Sequence, residues 1–374
     1  MSGIYLHIPF CKQKCNYCNF HFSTSQRLKN EVLQAMFLEL EQERNYLDNT
    51  TIETIYLGGG TPSILSVDEL KLFFEKIFSL FPNIDLKECT LEANPDDINS
   101  YFLKELKTTP VDRLSIGVQS FRDEDLKFMN RAHNASQADY AIKEAQDAGF
   151  SNLTIDLIYG VPEMNDNAWQ QNLHKLSSYQ IPHFSSYTLT VEEGTALHHS
   201  IKKQKTKAVD EEQSAKQFEM LIDFAQTNGY EQYEISNFAF PNHYAIHNTN
   251  YWKSEKYLGI GPSAHSFDGV SRRWNIANNA LYVQLINKKE KHFEEETLSS
   301  AQQLNEYIMT SLRTQWGCDL ENIIQKFGKE ISEKIKTEAT IFVQKDWLII
   351  KDEKLLLTKK GKLFADRIAS ELFQ

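Results

Sequence analysis

Short apolar runs alternate along the chain with stretches in which apolar residues recur every three or four positions. Six runs read as β-strands: residues 3–8, 54–58, 88–93, 113–118, 153–158 and 184–189. Between the first two, Val32, Leu33, Met36, Phe37, Leu40 and Leu47 keep the spacing of an amphipathic helix. Leu70, Phe73, Phe74, Ile77 and Phe78 do the same before the third. Ser66, just ahead of Asp68 and Glu69, marks a helix start, because its hydroxyl can accept from the unpaired N–H groups of the first turn. Strand and helix alternating at this rhythm predict a parallel sheet with right-handed crossovers. Six such units fit an α/β fold of the partial (β/α)6 barrel type better than the closed eight-unit barrel. Beyond about residue 295 the pattern changes. Helices are expected over 306–312, 320–327, 331–341 and 360–372, with strands over 346–350 and 354–358, which suggests a smaller helical, winged-helix-like domain. The expected division is a barrel over 1–230, a barrel-closing region over 231–290 and the C-terminal domain over 291–374, with the linker at 287–296.

Polar residues collect where the predicted strands end. Cys11, Cys15 and Cys18 follow the first strand, and Gly58, Gly59, Gly60, Thr61 and Pro62 follow the second. Glu92 closes the third, Gln119 follows the fourth, and Asp156 interrupts the apolar fifth. In a parallel barrel these C-terminal ends open on one face, where such folds place their chemistry. Adjacent glycines let backbone groups approach a ligand closely. A carboxylate among Leu153, Ile155, Leu157 and Ile158 needs a partner, and Arg131 could supply a bidentate grip on a ligand carboxylate.

The cysteines carry the strongest chemistry. Three thiols at spacings of four and three suit a soft metal centre. Zinc would need a fourth ligand, for which His21 is the plausible local residue. A [4Fe–4S] cluster held by three cysteines leaves one iron open, whereas electron-transfer clusters usually take four.

Composition narrows the field. No apolar run approaches the roughly 18 residues needed to span a membrane, and neither a signal peptide nor a direct membrane anchor is read from the sequence. A net charge of −11 argues against nucleic acid as a partner. The basic run at 202–207 reads as a solvated face, and without a clustered basic face the winged-helix-like module is expected to pack or contact protein. Five cysteines without a disulfide framework suggest a reducing, cytoplasmic setting, with Cys89 and Cys318 as buried thiols.

The C-x3-C-x2-C spacing, with Tyr17 before the third cysteine, resembles the radical S-adenosylmethionine (radical SAM) superfamily. Residues 5–11 (YLHIPFC), 58–62 (GGGTP), 91–95 (LEANP), 117–121 (GVQSF), 131–133 (RAH) and 156–160 (DLIYG) resemble its oxygen-independent coproporphyrinogen III oxidase branch, collinearly from about residue 3 to 265. That resemblance implies a [4Fe–4S] cluster on Cys11, Cys15 and Cys18. It also implies S-adenosylmethionine lined by Tyr5, Tyr17, Gly59, Gly60, Thr61, Glu92, Gln119, Arg131 and Asp156. Two departures stand out: Phe20 occupies the place of the dehydrogenases' fourth cysteine, and only ten residues precede Cys11. Both make the chain look like the related haem-chaperone branch. His247-Asn248-x-x-Tyr251-Trp252 resembles that branch's haem-binding motif and implies haem ligation by His247, with His243 and His265 near enough to compete. Gly259, Gly261 and Pro262 read as a loop over the barrel mouth.

The resulting expectation is a haem chaperone without a catalytic residue of its own, delivering haem to apoproteins such as respiratory enzymes. The alternative is an oxygen-independent coproporphyrinogen III oxidase, and a radical SAM enzyme acting on another substrate is a third reading. The sequence leaves dimerisation open.

Overall fold

The structure, a computed structural model, describes residues 2–374. Its centre is a run of parallel strands: β1 (Ser2–Ile8), β2 (Ile52–Gly59), β3 (Ile84–Ala93), β4 (Arg113–Gln119), β5 (Asn152–Tyr159) and β6 (His183–Thr188). The connections carry α1 (Lys29–Gln42), α2 (Val67–Leu80), α3 (Ser100–Leu106), α4 (Asp123–Phe128), α5 (Ala135–Asp147) and α6 (Asp166–Ser178). Each of the six predicted strands is present. The helix start at Ser66 is a capping box: the Glu69 amide donates to the Ser66 hydroxyl at 3.2 Å, and the Ser66 amide donates to the Glu69 carboxylate at 2.8 Å.

After α7 (Ala196–Lys202) and α8 (Glu211–Thr227), the chain extends the sheet at both ends. β7 (Glu231–Gln232) and β8 (Asn237–Ala239) add antiparallel beside β6. The short α9 (Ile246–Trp252) then leads to β9 (Lys256–Ile260), which pairs parallel with β1. β10 (His265–Phe267), β11 (Ser271–Asn275), α10 (Asn279–Lys288) and β12 (Phe293–Thr297) follow. The sheet has 12 strands in the order β12-β11-β10-β9-β1-β2-β3-β4-β5-β6-β8-β7, open and with β12 and β7 as its edges. The expected loop at 259–262 is therefore the end of a seventh parallel strand and the turn into β10. Gly259 lies there because a Cβ would meet the His265 carbonyl at 2.0 Å, and Gly261 because its φ is +106°. The expected linker at 287–296 is likewise the end of α10 and most of β12.

The C-terminal part consists of α11 (Ser300–Leu312), β13 (Cys318–Asp319), α12 (Leu320–Phe327), α13 (Lys329–Gln344), β14 (Leu348–Lys351), β15 (Lys354–Leu357) and α14 (Ala365–Glu371). It has its own core, built on Leu304, Ile308, Ile335, Phe342, Leu355 and Ile368. Cys318 is buried in that core and Cys89 in the main one. Among the described residues, no helix is long and apolar enough to cross a membrane.

Candidate functional site

The cysteine loop is held on both sides by the protein's own contacts. It leaves β1 beside the glycine stretch that ends β2, and the two segments are laced by backbone bonds. Gly60 N–H donates to the Ile8 carbonyl at 2.9 Å and Thr61 N–H to the Phe10 carbonyl at 2.8 Å. A Cβ on Gly60 would come within 2.7 Å of both carbonyl oxygens, so glycine alone permits this approach. From the other side, Asn16 N–H donates to the Met129 carbonyl at 3.0 Å, Asn130 Nδ2 to the Lys14 carbonyl at 2.7 Å, and Lys12 pairs with Asp96 and Asp97.

Two of the thiols already receive hydrogen bonds. Thr61 Oγ1 donates to Cys11 Sγ and Arg131 Nη1 to Cys15 Sγ, each at 3.3 Å. Arg131 Nη2 also donates to Asn94 Oδ1 and the Gly117 carbonyl at 2.7 Å, while its buried Nε has no partner. Burial pushes the Cys11 thiol up to about 12; the Thr61 hydroxyl and Arg131 oppose this, and the neighbouring Cys18 and Cys15 add to it. Sulfurs crowded this way become thiolates when a cation shares them. No group of three or more His, Cys, Asp or Glu among the described residues is already arranged to hold a metal ion. The donor set itself, three half-buried thiols on one loop with donors aimed at sulfur, fits an iron–sulfur cluster.

Next to the cysteine loop stand two carboxyls. Glu92 accepts from Tyr56 Oη at 2.8 Å and from Gly59 N–H at 3.2 Å. Burial raises it to about 7, with nearby Asp156 adding to the rise and the two donors opposing it. Asp156 accepts from Ser115 Oγ at 3.2 Å, and burial raises it to about 6 against the pull of Ser185, Ser115, Arg113 and Arg131. Gln119 ends β4 with φ +66°, immediately after a register shift in the β4–β5 pairing. A non-glycine residue held there is strained, and the bulge re-aims its side chain at the strand end.

A cavity of about 650 Å³ joins this mouth to the rest of the chain. Tyr5, Gly59 and Glu92 line it from the barrel, and Phe20 and His21 from the cysteine loop. Tyr251, Trp252, Tyr257 and His265 form another wall, and Glu306 and Thr310 of α11 close it from the C-terminal part. Phe20, the residue in the fourth-cysteine position, is 69% exposed. His247 and Asn248 do not line the cavity. His247 is 2% exposed, with Nδ1 bonded to Thr54 Oγ1 at 2.7 Å and Nε2 to Tyr251 Oη at 2.9 Å, and burial takes its pKa down to about 3. Glu88 holds the start of α9 by accepting from the amides of Ile246 and His247 at 2.8 and 3.0 Å. His243 is exposed and not in the cavity wall, whereas His265 is. The sequence did not single out Phe20 as a lining residue, nor Arg272 and Glu306. Phe20 was legible only as the residue in the fourth-cysteine position; the other two meet only through docking of the C-terminal part.

Residues 5–176 match the family described as the radical SAM superfamily, and residues 298–364 match the HemN C-terminal domain. The chain is 31% identical over 372 residues to the "Heme chaperone HemW" of Bacillus subtilis, covering 98% of both chains. It belongs to the HemN/HemW family of the radical SAM superfamily. Within that family it is also 34% identical to the Escherichia coli "Heme chaperone HemW" over 268 residues, 70% of this chain and 69% of that one. The solved structure titled coproporphyrinogen III oxidase (HemN) from Escherichia coli superposes with a TM-score of 0.86 at 21% identity. It covers 100% of this chain and 90% of that one, so the two share a fold. The HemN C-terminal match falls on α11 through β15 and the short helical turn after it, the part that closes the cavity. Membership of the superfamily implies use of S-adenosylmethionine with a [4Fe–4S] cluster.

Proposed function

We propose that the chain is a haem chaperone. Cys11, Cys15 and Cys18 would hold a [4Fe–4S] cluster, and Tyr5, Tyr17, Gly59, Gly60, Thr61, Glu92, Gln119, Arg131 and Asp156 would line S-adenosylmethionine. Haem would enter the adjoining cavity and pass from there to haem-requiring apoproteins. The observation that carries this reading is the cavity itself, whose aromatic wall of Phe20, Trp252 and Tyr257 suits a flat macrocycle. The curated relatives named as haem chaperones, matched over nearly the whole chain, support it. His265 faces that space and is the iron ligand in this reading, while His247 orients Tyr251 from behind.

Anaerobic haem titration of cluster-reconstituted protein, followed in the Soret region, tests the proposal. Saturable binding lost in His265→Ala and kept in His247→Ala is expected. The reverse pattern would mean that α9 opens to deliver His247. No saturable binding in the wild type would sink the chaperone reading.

The burial of His247 favours a second reading, an oxygen-independent coproporphyrinogen III oxidase. A porphyrinogen carries no iron and needs no axial histidine. S-adenosylmethionine held beside a cluster on Cys11, Cys15 and Cys18 would supply a carbon radical, and the aromatic side of the cavity, Tyr251, Trp252 and Tyr257, would limit the approach of water to it. Two carboxyls with raised pKa, Glu92 and Asp156, could hold or release a proton near neutrality at the same mouth. Anaerobic incubation with coproporphyrinogen III, reductant and S-adenosylmethionine should then release carbon dioxide and protoporphyrinogen IX; its absence with a fully loaded cluster removes this reading.

A further inference from the structure

The cavity has one Arg or Lys in its wall, Arg272 on β11, against three carboxylates, Glu92, Glu255 and Glu306. That single cation is already engaged. Arg272 Nη2 donates to Glu306 Oε2 at 2.8 Å, across the seam between the main sheet and α11. The pair is not a sealed structural salt bridge: each side chain is about a third exposed, at 38% and 31%, and both face the cavity. Nor does Glu306 exhaust the guanidinium. Among the described residues its one side-chain hydrogen bond is the one from Nη2, which leaves the rest of a planar fork of five donors free. On β12 the position paired with Arg272 is Glu296, whose carboxylate accepts from Gln302 Nε2 at 2.6 Å.

We propose that Arg272 is the carboxylate-recognition residue of the cavity and that Glu306 keeps its place until a ligand carboxylate arrives. The inference rests on the reading that the cavity takes a tetrapyrrole, and it assigns the part of that ligand which Arg272 recognises: a propionate side chain. A propionate would meet the fork bidentately, where Glu306 now uses one donor, and charge-assisted bidentate pairs are the stronger ones. The macrocycle would lie against Phe20, Trp252 and Tyr257. Because Glu306 belongs to α11, the exchange also releases one tie between the C-terminal part and the sheet. Ligand entry is thereby linked to the hold of that domain on the cavity.

The test uses full-length, cluster-reconstituted protein and two probes, haem and haem dimethyl ester, whose propionates are masked. Wild type is expected to bind haem about tenfold more tightly than the ester, the value of one good charge-assisted pair. Arg272→Gln should bring haem down to the affinity of the ester and leave the ester unchanged. Glu306→Gln should tighten haem several-fold, because the competing carboxylate is gone. Equal affinity of wild type for the two probes, or haem binding by Arg272→Gln at the wild-type level with the preference intact, overturns the assignment. If Arg272→Gln does not fold, unchanged haem affinity in Glu306→Gln overturns the place-holder role, and the wild-type preference alone decides recognition of the carboxylate. Failure of wild type to bind either probe refutes the tetrapyrrole reading instead, and this inference falls with it.

Discussion

Glu92 shows how far one residue's surroundings can set its chemistry. Raised to about 7 by burial, it carries a proton through most of the acid range. A cationic ligand such as S-adenosylmethionine favours the ionised form, so binding should expel that proton. Affinity is therefore expected to rise between pH 6 and 8, with proton release visible as a buffer-dependent enthalpy in calorimetry. Glu92→Gln should flatten the pH profile and weaken binding about tenfold; a profile that stays steep in the variant would assign the titration to Asp156. Stability has the opposite sense. The folded value lies above the unfolded value near 4.5, so the contribution of Glu92 is full below that pH and is lost as pH climbs towards 7. Most of this environment was legible at the residue scale, since Glu92 stood out as a carboxylate closing an apolar strand and Asp156 as one interrupting another. The place of His247 was not. A histidine in a polar segment looks accessible, and only tertiary contacts reveal Thr54 and Tyr251 on its two nitrogens.

At the scale of elements, the six parallel strands were readable because burial on both faces writes continuous apolar runs. β9 was not, because Gly259 within it and Gly261 just after it imitate a loop, while Gly259 serves close backbone approach to β10 and Gly261 to the His7 carbonyl of β1. What secures this added strand is a residue on a distant helix. Glu39 of α1 is buried and accepts from Gly261 N–H at 2.7 Å, Asn275 Nδ2 at 2.6 Å, Tyr282 Oη, and His292 Nε2 at 3.0 Å. One carboxylate thus ties the turn after β9, the end of β11, and α10 with the segment after it to the barrel. Removing it leaves four buried polar groups without their partner, so Glu39→Ala should cost about 3 kcal/mol or more. Chemical denaturation would measure the loss. Hydrogen exchange should show it concentrated in β9 to β12 while β2 to β5 keep their protection; uniform exchange across the sheet would mean that the extension unfolds only with the core.

For the molecule as a whole, the sequence distinguished two kinds of patterning and hence a barrel-like part and a helical part. It could not show that α11 lies over the barrel mouth, because docking is decided by side chains some 30 or more residues apart, such as Arg272 with Glu306 and Lys253 over the Trp316 ring. Nor could it show that the sheet stays open, with β12 as an outer strand. That strand displays Glu294, Glu295 and Glu296 in succession, all exposed. An unpaired strand edge invites a second chain to add to it, and acidic side chains oppose that union. Glu295 is paired with Arg273 at 2.7 Å, so two copies meeting edge to edge here would bring four carboxylates, Glu294 and Glu296 of each, into one ribbon. Part of the chain's acidity is therefore colloidal in purpose, keeping neighbours apart at the one end of the sheet long enough to recruit them. Glu294→Thr with Glu296→Thr should leave folding intact and raise light scattering on concentration, with salt producing a similar drift in the wild type; a double variant as monodisperse as its parent would show that β12 is guarded by its shape alone.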